Sequence, residues 1–170
     1  MSRSSVEQRP TTAVAAAVPG GLILVILGAM AAFAPAATDG LWWFLTAAVA
    51  AALLCVAILG LRSRVDGVAR HALTVAAVGM ALFAIAHVYA DTAIMLFSVF
   101  LVVLALGMVV AGIALARVWR GPARFVPLLC GVWPLATIPA GAALGDLPHF
   151  GAIALWGLCW VAFGVLARSR

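Results

Sequence analysis

Lysine is absent from this 170-residue sequence, acidic residues number five, and tyrosine occurs once. Charged residues make up only 9% of the chain against 67% hydrophobic ones, and the mean hydropathy is +1.25. A soluble domain carries roughly 45–50% apolar and about 25% charged residues. A soluble fold has too little polar surface to cover this much apolar area, so the composition points to a protein that uses lipid as its solvent. Catalytic signatures are missing too: the sequence has no nucleophile elbow, phosphate-binding loop, dinucleotide fingerprint or H-E-x-x-H. The connectors are too short to build a soluble active site, and an enzyme is not expected.

No Asp, Glu or Arg falls near the middle of any apolar run. Charged groups at bilayer depth cost roughly 2.5–3.5 kcal/mol to insert and usually mark proton relays or ion-coupling sites. Their absence argues against an ion-coupled carrier or pump. The three cysteines, Cys55, Cys130 and Cys159, show no C-x-x-C spacing and lie inside apolar segments, so neither a disulfide framework nor a zinc site is indicated. The net charge of +5 comes from arginines in short connectors and forms no extended basic face, which excludes nucleic acid as the expected partner. Arginine without lysine, together with alanine richness, reads as codon usage in a GC-rich bacterial genome.

What remains is a series of apolar runs at about 13–36, 41–61, 71–90, 93–116, 125–145 and 150–167. Each approaches the roughly 20 residues needed to cross the hydrocarbon core as a helix. A membrane strand would be shorter and would alternate. The expected fold is therefore an all-α integral membrane bundle of six helices, with a disordered polar segment at 1–12 and the spanning domain at 13–168. The first run resembles a signal peptide, with Arg3 and Arg9 ahead of it and Ala34-Pro35-Ala36 behind. Its apolar stretch exceeds the usual h-region of about 7–15 residues, so an uncleaved anchor is expected.

Placing the connectors alternately on two sides sorts the arginines. Arg3, Arg9, Arg62, Arg64, Arg70, Arg117, Arg120, Arg124, Arg168 and Arg170 fall on one side, and the other side carries Asp39, Asp91 and Asp146. The positive-inside rule then puts both termini in the cytoplasm and the protein in the bacterial inner membrane. The second, fourth and sixth runs end alike, in LLCVAILGLRSR, VVAGIALARVWR and WVAFGVLARSR. Two readings fit: a repeat of three helical hairpins, or a small-residue alphabet under positive-inside selection.

Two groups of residues are candidates for chemistry. The first lies in the fifth run, where Pro127, Pro134 and Pro139 are expected to break or kink the helix. Broken helices hold substrates in several transporter folds, so Pro134 and Pro139 are expected to border a ligand cavity, together with Trp133, Trp156 and Trp160. These three tryptophans are deeper than the interfacial belt; the alternative is packing of large rings against Ala and Gly. In the same run Gly141 and Gly145 form a G-x-x-x-G step suited to close helix approach. The second group is polar and lies toward the arginine-free side: Asp39, His87, Asp91, Asp146 and His149. His87 and Asp91 are an i, i+4 pair suited to a metal, a proton-sensing pair or a partner contact; ordinary interfacial hydration is the alternative. His71 and His87 fall on nearly opposite helix faces and cannot aim at one haem, so no cofactor and no metal are expected. Trp42, Trp43 and Trp119 read as interfacial anchors.

The last third of the chain, from RVWRGPARF onward with Gly131, Trp133, Pro134, Pro139, His149, Gly151, Trp156, Gly157, Trp160 and Gly164, resembles small multi-spanning bacterial membrane proteins. The topology, three Gly-rich hairpins with inside arginines, is similar to the HdeD-like acid-resistance membrane proteins. That resemblance implies an envelope or stress role and transfers no active residue. The leading expectation is a non-enzymatic accessory protein whose partners are the bilayer and a copy of itself or another membrane protein. The competing one is a small carrier or channel for a neutral or apolar solute. A third places a metal or enzyme site at the outer polar cluster. A mid-depth cavity bordered by the proline-rich helix would favour the second, and a filled core there the first.

Overall fold

The structure, a computed structural model, describes residues 12–38 and 40–167; within that range the side chains at 12, 35, 37, 90–95, 138–142 and 146 lie outside the description. The expected polar segment 1–12 falls almost wholly outside it, as does Asp39. Every regular element among the described residues is helical. In chain order these are α1 (Thr12–Ala15), α2 (Ala17–Phe33), α3 (Leu41–Arg62), α4 (Gly67–Val88), α5 (Ala90–Val118), α6 (Val126–Leu144) and α7 (Asp146–Leu166), with short 3-10 turns at Pro35–Thr38 and Pro122–Phe125. Helices are the expected outcome because a chain in hydrocarbon must satisfy its backbone internally.

Five segments are long and apolar enough to cross a membrane: Ala13–Phe33, Leu41–Arg62, Gly67–Val88, Leu96–Val118 and Leu147–Leu166. Five of the six expected spans correspond to these segments with shifted ends; the expected run at 125–145 folds as helix α6 but is not among them. Helix α4 starts at Gly67 rather than 71, because Gly67 adopts φ +62 behind the Asp66 N-cap and turns the chain directly into the helix. Helix α5 runs from Ala90 to Val118 and so extends beyond the expected 93–116 at both ends.

Helices α2 to α7 pack as a ring in chain order, each against its neighbours, and α2 closes it against α7. Specific contacts show each pair to be antiparallel. Gly79 meets Leu104 while Gly107 meets Ala76, and Gly112 meets Leu128 while Gly131 meets Val109. At the closure, Gly21 meets Gly157 and Gly28 meets Ala154, so close that an added Cβ would lie 2.6 Å from backbone in either case. Small residues at such crossings let helices gain dispersion energy where lipid offers no hydrophobic drive for association.

The burial pattern is that of a lipid-solvated ring. Alanines fill the helix-facing positions, for example Ala50, Ala57, Ala76 and Ala111, all with no exposed area, whereas Leu22, Ile26, Val49, Val75, Leu106 and Leu158 point outward and are about half exposed. No polar or charged residue is buried among those described. The antiparallel order gathers Arg62, Arg64, Arg70, Arg117, Arg120 and Arg124 at one end of the ring. A closely packed layer occupies the half nearest that end and the ring's middle: Leu54, Ile58, Leu73, Met80, Leu104, Met108, Cys130, Trp160 and Phe163, none more than 1% exposed.

Candidate functional site

Above that packed layer, in the half of the ring away from the arginines, the helices form a half-open cavity of about 710 Å³. Its volume lies within the roughly 300–1,000 Å³ typical of small-molecule sites. Every helix from α2 to α7 contributes to it: Leu24 and Leu27; Trp43, Phe44 and Ala47; Phe83 and His87; Phe97, Ser98 and Leu101; Pro134 and Thr137; and His149, Phe150, Ile153 and Trp156. Six of the sixteen lining residues are Trp or Phe, and two more are His. Trp160 stacks edge-on beneath Trp156 at 6.1 Å, and Phe163 beneath Trp160 at 5.5 Å, so the ring stack continues from the cavity floor into the packed layer.

Proline decides the local architecture of one wall. Pro134 has no N–H, which leaves the carbonyl of Cys130, four residues earlier, without its helical donor. The indole Nε1 of Trp156 donates to that carbonyl at 2.9 Å from α7. Trp133 makes the converse bond, donating Nε1 to the Ala152 carbonyl of α7 at 2.7 Å. The two indoles thus cross-link α6 and α7. The chain stays helical from Val126 to Leu144 through its prolines, which corrects the expectation of a broken helix: the freed carbonyl finds a partner from a neighbouring helix, so nothing forces unwinding.

The cavity carries few polar atoms. His87 sits between Phe83 and Phe97, with both ring centroids at 4.5 Å and edge-on geometry. Its Nδ1 lies 2.8 Å from the Phe83 carbonyl. That carbonyl can only accept, so Nδ1 bears the proton, and in the neutral ring Nε2 is left as an acceptor. His149 contributes a buried Nδ1 with no hydrogen-bond partner. Such an atom is costly to leave unpaired, but being buried it does not face the open space of the cavity. The Thr137 hydroxyl donates to the Pro134 carbonyl at 3.1 Å and retains its acceptor capacity. Among the described residues no charged side chain lines the cavity.

The two groups of candidates read from the sequence therefore meet in part at one place. Pro134 and Trp156 from the first group and His87 and His149 from the second line the same cavity. Trp133 and Trp160 do not. Trp133 is turned into the α6–α7 contact, and Trp160 lies one turn deeper, fully buried with its Nε1 unpaired. The side chains of Pro139, Asp91 and Asp146, like all of Asp39, lie outside the described residues. Of the G-x-x-x-G step, Gly141 lies outside the described side chains, and Gly145 follows α6 with φ +89 and nothing among the described residues within 4 Å of an added Cβ, so at that position the chain makes a turn. Among the described residues no group of three or more His, Cys, Asp or Glu is placed to hold a metal ion.

Sequence reasoning missed Trp43, taken for an anchor, and the phenylalanines of the wall. A signal for them existed. Phe33, Phe44, Phe83, Phe97, Phe100 and Phe150, six of the eight phenylalanines, fall in the helix halves away from the arginines; only Phe125 and Phe163 do not. No known protein family, no curated protein and no solved structure matches the chain.

Proposed function

We infer that this is a bacterial inner-membrane protein of six spans with both termini cytoplasmic, which binds a small, neutral, largely apolar molecule in its outer half and serves as a carrier for it. The sixth span in this reading is α6, nineteen residues long and uniformly apolar apart from Thr137. The observation that carries the reading is the cavity itself, bordered by Pro134 and Trp156 where a packing module would have a filled core. Aromatic rings in the walls, with no charged side chain among the described lining residues, suit a ring-bearing or branched apolar body. The Nε2 of His87 and the Thr137 hydroxyl suit one hydroxyl or amide on that body. The reading contains no bond-making step, so the protein acts as a binder or carrier rather than an enzyme. The packed layer beneath closes the path in this conformation, and transport would require that layer to open.

The test uses 1-naphthol, an aromatic alcohol whose hydroxyl can both donate and accept. In detergent-purified protein it should raise the thermal unfolding midpoint, and Ile153→Trp, which fills the cavity from its wall, should abolish the rise while keeping the helical circular dichroism. Proteoliposomes should release trapped 1-naphthol faster than protein-free vesicles, and Ile153→Trp should remove the difference. Equal stabilisation of wild type and Ile153→Trp would sink the binding site. Binding without any effect on release would retain the site and reject carriage.

The second reading, an accessory protein of envelope or stress function as the HdeD-like resemblance implies, is favoured by the glycine-lined closure of α2 against α7. It makes the ring a rigid scaffold for a partner or a second copy, and it requires no ligand.

A further inference from the structure

A second recess lies at the opposite, arginine-rich end, outside the ring and far from the aromatic cavity. It has a volume of about 670 Å³ and is formed by the connector before α4, the first turn of α4, and the final turns of α5. Its lining is divided by polarity. Arg64, Arg117 and Trp119 stand at the rim, while Val110 and Ile113 descend along α5 toward the middle of the bilayer opposite Val68 of α4. From Val110 to Val118 the apolar part extends about 12 Å along the helix. Val68, Val110 and Ile113 are 65%, 44% and 46% exposed, so this part faces outward to lipid.

The charges at the rim do not cancel. Among the described residues Asp66 is the one acid in the lining, and it is paired with Arg70 at 3.7 Å. The side chains of Arg64 and Arg117 make no ion pair or hydrogen bond among the described residues. Asp66 is also the N-cap of α4 but makes no side-chain cap bond, so the first-turn N–H groups of a 22-residue helix are left uncapped beside the same recess. Those groups carry the positive end of the helix dipole and favour a nearby anion. An interfacial indole such as Trp119 commonly sits at headgroup level.

We propose that this recess is a binding site for an anionic phospholipid of the adjoining leaflet, with its phosphate held by Arg64 and Arg117 and one acyl chain lying along Val110 and Ile113 of α5. A free phosphate would use the cations and leave the apolar stripe empty. A zwitterionic lipid would bring its own cation to a rim that already has an excess of them. Only an amphipathic anion matches both halves, and arginine suits phosphate through its paired donors.

The experiment is native mass spectrometry of the full-length protein released from micelles doped with phosphatidylglycerol or with phosphatidylcholine of the same acyl chains. Phosphatidylglycerol should bind at least about tenfold more tightly. Arg64→Gln with Arg117→Gln should weaken it roughly thirty-fold, the loss of two surface arginine–headgroup attractions. Arg124→Gln, at the same end but outside the recess, should leave binding unchanged. Val110→Phe, which narrows the apolar part without touching charge, should also weaken it and keeps the proposal testable if the double variant fails to fold. Equal retention of the two lipids would overturn the proposal. So would an equal loss from Arg124→Gln, which would mean diffuse attraction. Displacement of phosphatidylglycerol by millimolar inorganic phosphate would mean an anion site without a lipid and would overturn it as well.

Discussion

Trp156→Phe keeps a ring in the cavity wall but removes the N–H that serves the Cys130 carbonyl. In hydrocarbon that carbonyl has no water to turn to, and interhelical hydrogen bonds in membranes are worth about 0.6 kcal/mol on average and up to about 1.7. The substitution should therefore destabilise the protein by about 1 kcal/mol. Pro134→Ala changes the accounting, because an alanine N–H at position 134 restores the helical donor to the same carbonyl. In that background Trp156→Phe should cost distinctly less, giving a positive coupling between two residues on different helices. Unfolding titrations of the four proteins in mixed micelles measure it, and strictly additive costs would show that the indole bond is incidental. At the same scale, His149→Phe removes the unpaired buried Nδ1. It should leave stability unchanged or raise it slightly, since no protein partner is orphaned. Loss of stability in this variant would mean that the nitrogen has a structural partner after all.

At the scale of elements, the contact between α2 and α7 depends on glycine at a few defined positions. A Cβ on Gly157 would lie 2.6 Å from the Gly21 carbonyl oxygen and 2.7 Å from the Val25 nitrogen, neither of which can move without shifting a helix. Gly151, on the same helix, has open space around its Cβ position. Alanine is the better helix former by roughly 1 kcal/mol, so propensity alone predicts that both Gly→Ala changes stabilise. Backbone overlap of the kind that costs roughly 1–3 kcal/mol should reverse the sign at Gly157 only. The pair of variants thus separates packing from propensity within one helix, and two changes of the same sign would show that α2 and α7 are less tightly apposed than the structure has them. This contact also marks where reading the sequence stops. The lengths of the helices were legible because hydrocarbon demands long uniform apolar runs. Their facing was not, because lipid and core are both apolar and leave no polar stripe to set rotation. Trp133 and Pro134 are adjacent in sequence, yet one turns to α7 and the other to the cavity. Trp156 and Trp160 share a face, and only their depth separates cavity wall from packed layer. Gly145 of the Gly141–Gly145 step makes a turn, whereas the crossing that closes the ring uses Gly21, Gly28 and Gly157, which pair the two ends of the chain.

For the whole molecule, the antiparallel ring turns the distribution of arginines into a polarity of ends. The ends of α3 and α5 and the start of α4 share one face with their arginines, and the aromatic cavity lies toward the opposite one. Moving arginine-bearing connectors across a bilayer is what the translocation machinery resists, so the arginine-rich end should be cytoplasmic and the cavity should approach the outer surface. That assignment decides what the proposed carrier would take up first, and it is open to direct measurement. With Cys55, Cys130 and Cys159 replaced by alanine, Leu147→Cys places a thiol at the start of α7, where the side chain is 58% exposed, and Ser63→Cys places one at the exposed end of α3. A membrane-impermeant maleimide applied to intact bacterial cells should label the cysteine at 147 and leave that at 63 unreacted until the cells are lysed. The reverse pattern would invert the molecule, turning the aromatic cavity to the cytoplasm and the lipid-binding recess to the outer leaflet. Labelling of both positions on intact cells would mean that 63 and 147 lie on the same side, which an odd number of crossings between them cannot produce, and would remove α6 from the set of spans.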